Sequence, residues 1–173
     1  MQFSLRNVDQ KFLSLDDFPQ AQGFIIVFTC NHCPYAIAYE DRLKELDEEF
    51  TPQGYPLIAI NPNDPAQYPQ DSFENMQIRA RDKGFGFPYV FDETQEIATT
   101  YGAQRTPHVF VLLKGSDGLK KVYEGAIDDN YQSAHLVQKA YLAEFMRALI
   151  QTGEATPMKT MPVGCTIKWK QAW

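Results

Sequence analysis

Two cysteines three residues apart, Cys30-Asn31-His32-Cys33, stand between the apolar run 23–29 and Pro34, ahead of a helix-patterned stretch over 36–50. No other feature constrains the chain as strongly. A CxxC at a strand-to-helix junction puts its first sulfur beside unpaired backbone N–H groups at the positive end of a helix dipole, which favours thiolate, the form that attacks disulfides. The second sulfur lies one turn along and can close on the first, so the pair can carry two electrons. On this reading Cys30 has a pKa well under the ~8.5 of free cysteine.

A chain of 173 residues fits one domain, taken as 1–173, and can bury a sizeable core. Its 44% hydrophobic and 13% aromatic content is that of an ordinary globular protein. A net charge of −6 and a pI near 5.0 argue against nucleic acid or an anionic membrane as partner, since both call for a basic face. The N-terminal residues 1–6 lack an apolar core of the signal-peptide type, and no stretch reaches the roughly 18–20 apolar residues of a membrane span. The chain therefore reads as cytoplasmic. Three cysteines are too few for a secreted disulfide scaffold and suit a reducing compartment.

Residues 3–8 and 10–13, on either side of Asp9, form a small hairpin in this reading. Phe24-Ile25-Ile26-Val27-Phe28 has the continuous β-branched and aromatic pattern of a central strand. Ala36, Tyr39, Leu43, Leu46 and Phe50 recur at helical steps among charged residues, with Pro34 in the first turn. A second buried strand at 56–60 completes a βαβ unit. Asp71 with Glu74 reads as a capping box opening a helix to about Asp82, stopped by Lys83-Gly84. Residues 87–91 read as an edge-like strand, 94–101 as a short helix, 108–113 with 121–125 as an antiparallel hairpin, and about 133–151 as a helix. The tail, 153–173, shows no clear period. Its Met158, Met161, Val163, Ile167 and Trp169 give it apolar surface to bury, so it is expected to pack on the domain.

A closed zinc site needs four ligands, and no second cysteine pair accompanies the first, so redox use is preferred over metal binding; no metal or cofactor is expected. An imidazole at His32 would further stabilise a Cys30 thiolate and tilt the pair toward an oxidising potential, unless it is a plain loop histidine. Asn31 carries no usable signal. His108 and His135 read as packing or surface residues and Arg105 as a salt-bridging residue. Cys165 stays open between a structural and a redox role.

The segments FTCNHCPYA, YGAQRTPHVFVL, VYEGAIDDN and PVGCTIKW, with the order CxxC, βαβ, Thr-Pro, hairpin and helix, resemble the thioredoxin fold, and within it the peroxiredoxin-like, AhpC/TSA-related thioredoxin-family proteins of bacteria. The resemblance covers about 3–170. It implies an α/β fold of three layers, α/β/α, around a mixed sheet, with the redoxin-type insertion at 61–102 and a C-terminal tail. It also implies a thiol-disulfide oxidoreductase in which Cys30 attacks and Cys33 resolves. Pro107 would be the cis-proline set against the CxxC, with Thr106, Pro107 and Tyr35 binding substrate. The implied partners are a protein or small-molecule disulfide and an external thiol reductant; nothing sets an oligomeric state. Two departures stand out: Thr29 precedes the motif where a thioredoxin has Trp, and 24–28 lacks the buried acid. Peroxiredoxins keep a Thr three residues before the peroxidatic cysteine, and this chain has Cys30 there, Cys33 at the peroxidatic position and Arg105 near the catalytic Arg. A thiol peroxidase is therefore the alternative, and a copper-handling thioredoxin-fold protein a more distant one. Arg105 and Cys165 are accessory candidates, Cys165 either as a third thiol near the CxxC or, the preferred expectation, as a small apolar residue in a groove.

Overall fold

The structure, a computed structural model, describes residues 1–171; the last two residues of the expected tail, Ala172 and Trp173, lie outside the described residues. Strands β1 (Ser4–Asn7), β2 (Phe12–Ser14), β3 (Gly23–Phe28), β4 (Leu57–Asn61), β5 (Tyr89–Phe91), β7 (His108–Gly115), β8 (Gly118–Gly125) and β9 (Met158–Lys159) form one mixed sheet in the order β2-β1-β5-β4-β3-β7-β8-β9. The short pair β6 (Arg105–Thr106) and β10 (Cys165–Thr166) lies apart from it. Helices are α1 (Pro34–Ala38), α2 (Glu40–Phe50), α3 (Phe73–Lys83), α4 (Glu96–Tyr101) and α5 (Tyr141–Thr152).

β3 runs parallel to β4 and antiparallel to β7, and all its residues are buried. Because successive side chains point to opposite faces, its composition is apolar throughout. Ile25 and Val27 join Leu57, Ala59, Val109 and Val111 in a core with Leu43, Leu46 and Phe50 of α2, Met76 of α3 and Leu142, Met146 and Leu149 of α5. Phe24, Ile26 and Phe28 face the other way, with Ile58, Ile60, Phe110, Ala98 and Tyr101 of α4 and Ile167 of the tail. These two cores make the three layers.

The observed elements depart from the sequence reading in four places. The helix expected over 36–50 is two helices, because the Tyr39 N–H bonds the Ala36 carbonyl at 3.2 Å and tightens the turn between α1 and α2. β5 is interior, paired on one side with β4 and covered on the other by β1. The C-terminal helix begins at Tyr141; 134–136 is only a 3₁₀ turn, and its Leu136 is exposed. Ser72, not Asp71, caps α3, its hydroxyl accepting the Asn75 N–H at 3.2 Å.

The described part of the tail meets the rest of the chain through short strands and one buried side chain. β9 adds a parallel strand beside β8, β10 pairs with β6, and Ile167 is buried. Met158, Met161, Val163 and Trp169 remain exposed. No described helix is long and apolar enough to cross a membrane.

Candidate active site

The carboxyl ends of β3 and β4 deliver the chain into one crevice. After β3, the Thr29 N–H still bonds the Ile60 carbonyl at 2.8 Å, and the CxxC loop follows. Cys33 takes the N-cap position of the five-residue α1, with Pro34 in its first turn. Cys30, Cys33 and Ala36 form a small buried cluster flanked by Tyr35 and Cys165.

The tail closes this cluster. Antiparallel pairing sets Cys165 opposite Thr106 and Thr166 opposite Arg105, and Cys33 and Cys165 form a disulfide with Cα atoms 6.3 Å apart. Cys30 is left as the free thiol, buried, with its Sγ 3.5 Å from the Thr106 hydroxyl. The Thr106 carbonyl oxygen lies 3.5 Å from Cys33 Sγ. The Thr106–Pro107 peptide bond is cis, as the resemblance implies, and Thr106 is fully buried against both CxxC sulfurs. The preferred expectation for Cys165, a passive residue in a groove, is therefore corrected: pairing of 165 with 106 carries its sulfur to Cys33. The bridge found is not the Cys30–Cys33 one.

The expectation of a low Cys30 pKa is also reversed in this form. Burial pushes the Cys30 thiol up to about 11, and the charge of Asp71 adds to it; the Thr106 hydroxyl and the backbone N–H groups of Cys33 and His32 oppose the rise. A helix of only one turn and a half offers too little field to offset desolvation.

Asp71 is the residue the sequence reading misassigned. It closes a 3₁₀ turn, Pro69–Asp71, and is fully buried beneath the CxxC loop. Its Oδ1 accepts the backbone N–H of Asn31 at 2.8 Å and of His32 at 3.2 Å. Its Oδ2 accepts the Asn63 amide at 2.9 Å and His32 Nδ1 at 2.5 Å. The His32 ring, stacked on Tyr68 with centroids 4.5 Å apart, is thereby fixed. Asn31 holds the loop from its other side: its amide donates to the Gln70 carbonyl at 2.9 Å and its carbonyl accepts from the Tyr89 hydroxyl at 2.7 Å. The buried acid missing from 24–28 is thus supplied by a different element. A sulfur of Cys30, a ring nitrogen of His32 and an oxygen of Asp71 all lie within 4.8 Å of one another. Both Asp71 oxygens are already engaged by N–H donors that a cation would have to displace.

The remaining candidates are more peripheral. Tyr35 is half-buried, with its ring against Tyr131 at 4.2 Å between centroids. The Arg105 guanidinium donates to the Gly164 carbonyl at 3.3 Å and so braces the tail. His108 is buried and heads β7; its Nδ1 accepts the Gln104 N–H at 3.1 Å, while Nε2 is buried with no hydrogen-bond partner among the described residues. His135 lies in the 3₁₀ turn 134–136, apart from the cysteines.

A mixed sheet with helices on both faces, a CxxC at the carboxyl end of its central strand and a cis Thr-Pro beside it define a protein of the thioredoxin-like class. Solved thioredoxin-like structures share this architecture, among them the pneumococcal exposed lipoprotein thioredoxin Etrx1 from Streptococcus pneumoniae, at TM-score 0.63 and 18% identity over 86% of this chain and 100% of that one. More specifically, the chain belongs to the AhpC/TSA family, whose match spans residues 1–119. An uncharacterized conserved protein from Geobacillus kaustophilus is similar over 100% of this chain and 91% of its own, with 36% identity and TM-score 0.89. A hypothetical protein from Sinorhizobium meliloti follows with 26% identity, TM-score 0.88, and coverage of 99% and 93%. Thiol-disulfide oxidoreductase ResA from Halalkalibacterium halodurans is 23% identical over 127 residues, which is 73% of this chain and 67% of that protein.

Proposed function

We propose that the chain is a thiol-disulfide oxidoreductase that works with three thiols rather than two. The observation carrying this reading is the convergence of Cys30, Cys33 and Cys165 on Thr106, with one disulfide and one free thiol among them. With the tail open, Cys30 thiolate attacks a partner's disulfide, forming a mixed disulfide and releasing one partner thiol. Cys33 then attacks Cys30, expelling the second partner thiol and closing Cys30–Cys33. Cys165 attacks Cys33, regenerating the Cys30 thiol and giving the bridge Cys33–Cys165. An external dithiol reduces that bridge by attacking at Cys165, the only one of the three that is half-exposed; Cys33 leaves as a thiol, and the second external thiol then frees Cys165 and closes the external disulfide. Two electrons thus pass from the external dithiol to the partner. The backbone edge of Thr106, occupied here by Cys165, supports an extended substrate binding along Thr106 and Pro107, with Tyr35 at its border. Named relatives such as the Halalkalibacterium ResA support the activity, and the composition supports action in the cytoplasm.

The test is reduction of a protein disulfide such as insulin by single Cys→Ser variants. Cys30→Ser should abolish turnover and Cys33→Ser should accumulate a mixed disulfide, whereas substantial turnover by Cys30→Ser would overturn the assignment.

One observation favours a second reading, a thiol peroxidase: the Cys33–Cys165 bridge is the product expected if peroxide oxidised Cys33 to a sulfenic acid and Cys165 displaced the hydroxyl as water. Cys30 stands where a peroxiredoxin has its Thr hydroxyl, and the Arg105 side chain is directed to the tail. Reaction of the reduced protein with hydrogen peroxide should accordingly be slow, and a rate far above that of an ordinary thiolate would reverse the order of the two readings.

A further inference from the structure

We propose that His32 is the proton acceptor for Cys30 and that Asp71 is the positioning residue that holds it ready, so that the nucleophile is activated by a Cys30–His32–Asp71 arrangement assembled from the CxxC loop and the 3₁₀ turn at 69–71. The inference rests on the thiol-disulfide reading and deepens it by naming how the buried thiol loses its proton.

The geometry is specific. Among the described residues, four nitrogen groups reach the Asp71 carboxylate, three of them backbone or amide N–H donors and the fourth His32 Nδ1, to which the ionised carboxylate serves as acceptor. Its bond to His32 Nδ1 assigns the ring proton to that nitrogen and leaves the other nitrogen able to take a proton. Stacking on Tyr68 removes the ring's remaining freedom. Cys30 Sγ lies within 4.8 Å of a ring nitrogen of His32 and of a carboxylate oxygen of Asp71, so a movement of the loop that turns the free ring nitrogen to the sulfur completes the path for the proton. Asp71 is not needed as a helix cap, since Ser72 fills that position.

Charge balance calls for such a pair. A thiolate on Cys30 would stand beside the buried Asp71 charge, the second-largest factor holding the thiol protonated. Passing the proton to His32 keeps one positive charge between two negative ones. Other groups around this pair are the Tyr89 hydroxyl of β5, the ion pair Arg79–Glu40 between α3 and α2, Asp82 and Lys83 of α3, which line the pocket beside His32, and Lys168 of the tail, over the Tyr68 ring at 5.5 Å from its centroid. The step balances: the Cys30 proton moves to His32, the thiolate forms a new S–S bond, and the sulfur expelled from the old disulfide leaves as thiolate and takes that proton back.

The test uses the chain with Cys33→Ser and Cys165→Ser, which leaves Cys30 as its single thiol, and follows alkylation by iodoacetamide from pH 5 to 10. Asp71→Asn and His32→Gln should each slow the reaction at pH 7 by about tenfold or more, remove the same limb of the pH profile, and do no more together than either does alone. If Asp71 is merely a buried negative charge beside the thiol, Asp71→Asn acts in the opposite direction and speeds alkylation. A faster or unchanged rate overturns the proposal. Should Asp71→Asn fail to fold, His32→Gln decides alone, because glutamine can still donate to Asp71 but cannot take the proton, and an unchanged profile overturns it. Alkylation involves no disulfide substrate, so failure of insulin reduction with the predicted profile intact would count against the oxidoreductase reading only.

Discussion

Gly164→Ala should release the tail. A Cβ built on Gly164 would lie 2.2 Å from the Thr106 carbonyl oxygen, 2.7 Å from its carbonyl carbon and 3.1 Å from Pro107 N. All three are backbone atoms, so no side chain can swing aside, and β10 must move away from β6. The same Thr106 carbonyl touches Cys33 Sγ, so the displacement acts directly on the bridge. Forcing a methyl group into such a contact costs about 1–3 kcal/mol, which at 1.4 kcal/mol per decade lowers the population of the Cys33–Cys165 form by roughly 5- to 140-fold against Cys30–Cys33. Mild oxidation, acid quenching, alkylation and peptide mapping by mass spectrometry read the ratio of the two bridges. Gly115→Ala is the control, since its Cβ meets nothing closer than 3.8 Å. An unchanged ratio in Gly164→Ala, with a melting temperature equal to the parent's, would refute the idea that close approach at Gly164 holds Cys165 against Cys33.

With Cys165→Ser, mild oxidation should move the intramolecular bridge to Cys30–Cys33; absence of any bridge in peptide maps would remove the relay. In the bridged protein Cys30 should resist alkylation at neutral pH and react with a midpoint near its raised pKa of about 11. Because the folded thiol holds its proton more tightly than the unfolded one at 9.0, this contribution to stability is full below about pH 9 and falls away toward pH 11, as denaturant midpoints should record. Burial lowers the His108 pKa from 6.5 to about 4, so its contribution is full above pH 6.5 and is lost as pH falls through 4. His108→Phe, which keeps the stacking on Phe110, should flatten that part of the acid stability curve.

The parts of this fold legible in the sequence are those governed by local pattern. Phe24 to Phe28 reads as a strand buried on both faces because every residue is apolar, and the CxxC falls where that strand must meet a helix. The tertiary placements were not legible. Asp71 with Glu74 has the spacing of a capping box, and nothing local reveals that the carboxylate turns instead toward backbone N–H groups about forty residues upstream. Asn31 looked uninformative because its partners, Gln70 and Tyr89, come from other elements. Cys165 sits in a stretch with no period, and only its register opposite Thr106 brings it to Cys33. Residues 87–91 looked like an edge because their run is short and contains Pro88, yet the N-terminal hairpin supplies the missing neighbour.

The bridge from Cys33 to Cys165 spans 132 residues of sequence. Closing a loop of that length withdraws about 5 kcal/mol of conformational freedom from the unfolded chain by the chain-entropy relation, whereas the four-residue loop of a Cys30–Cys33 bridge withdraws about 2 kcal/mol. Each catalytic round would therefore alternate the polypeptide between a form closed over residues 33–165 and one closed only over residues 30–33. Proteases acting on the transiently unfolded chain would meet the two forms at very different frequencies, so the supply of reducing thiols would set the lifetime of the protein as well as its rate.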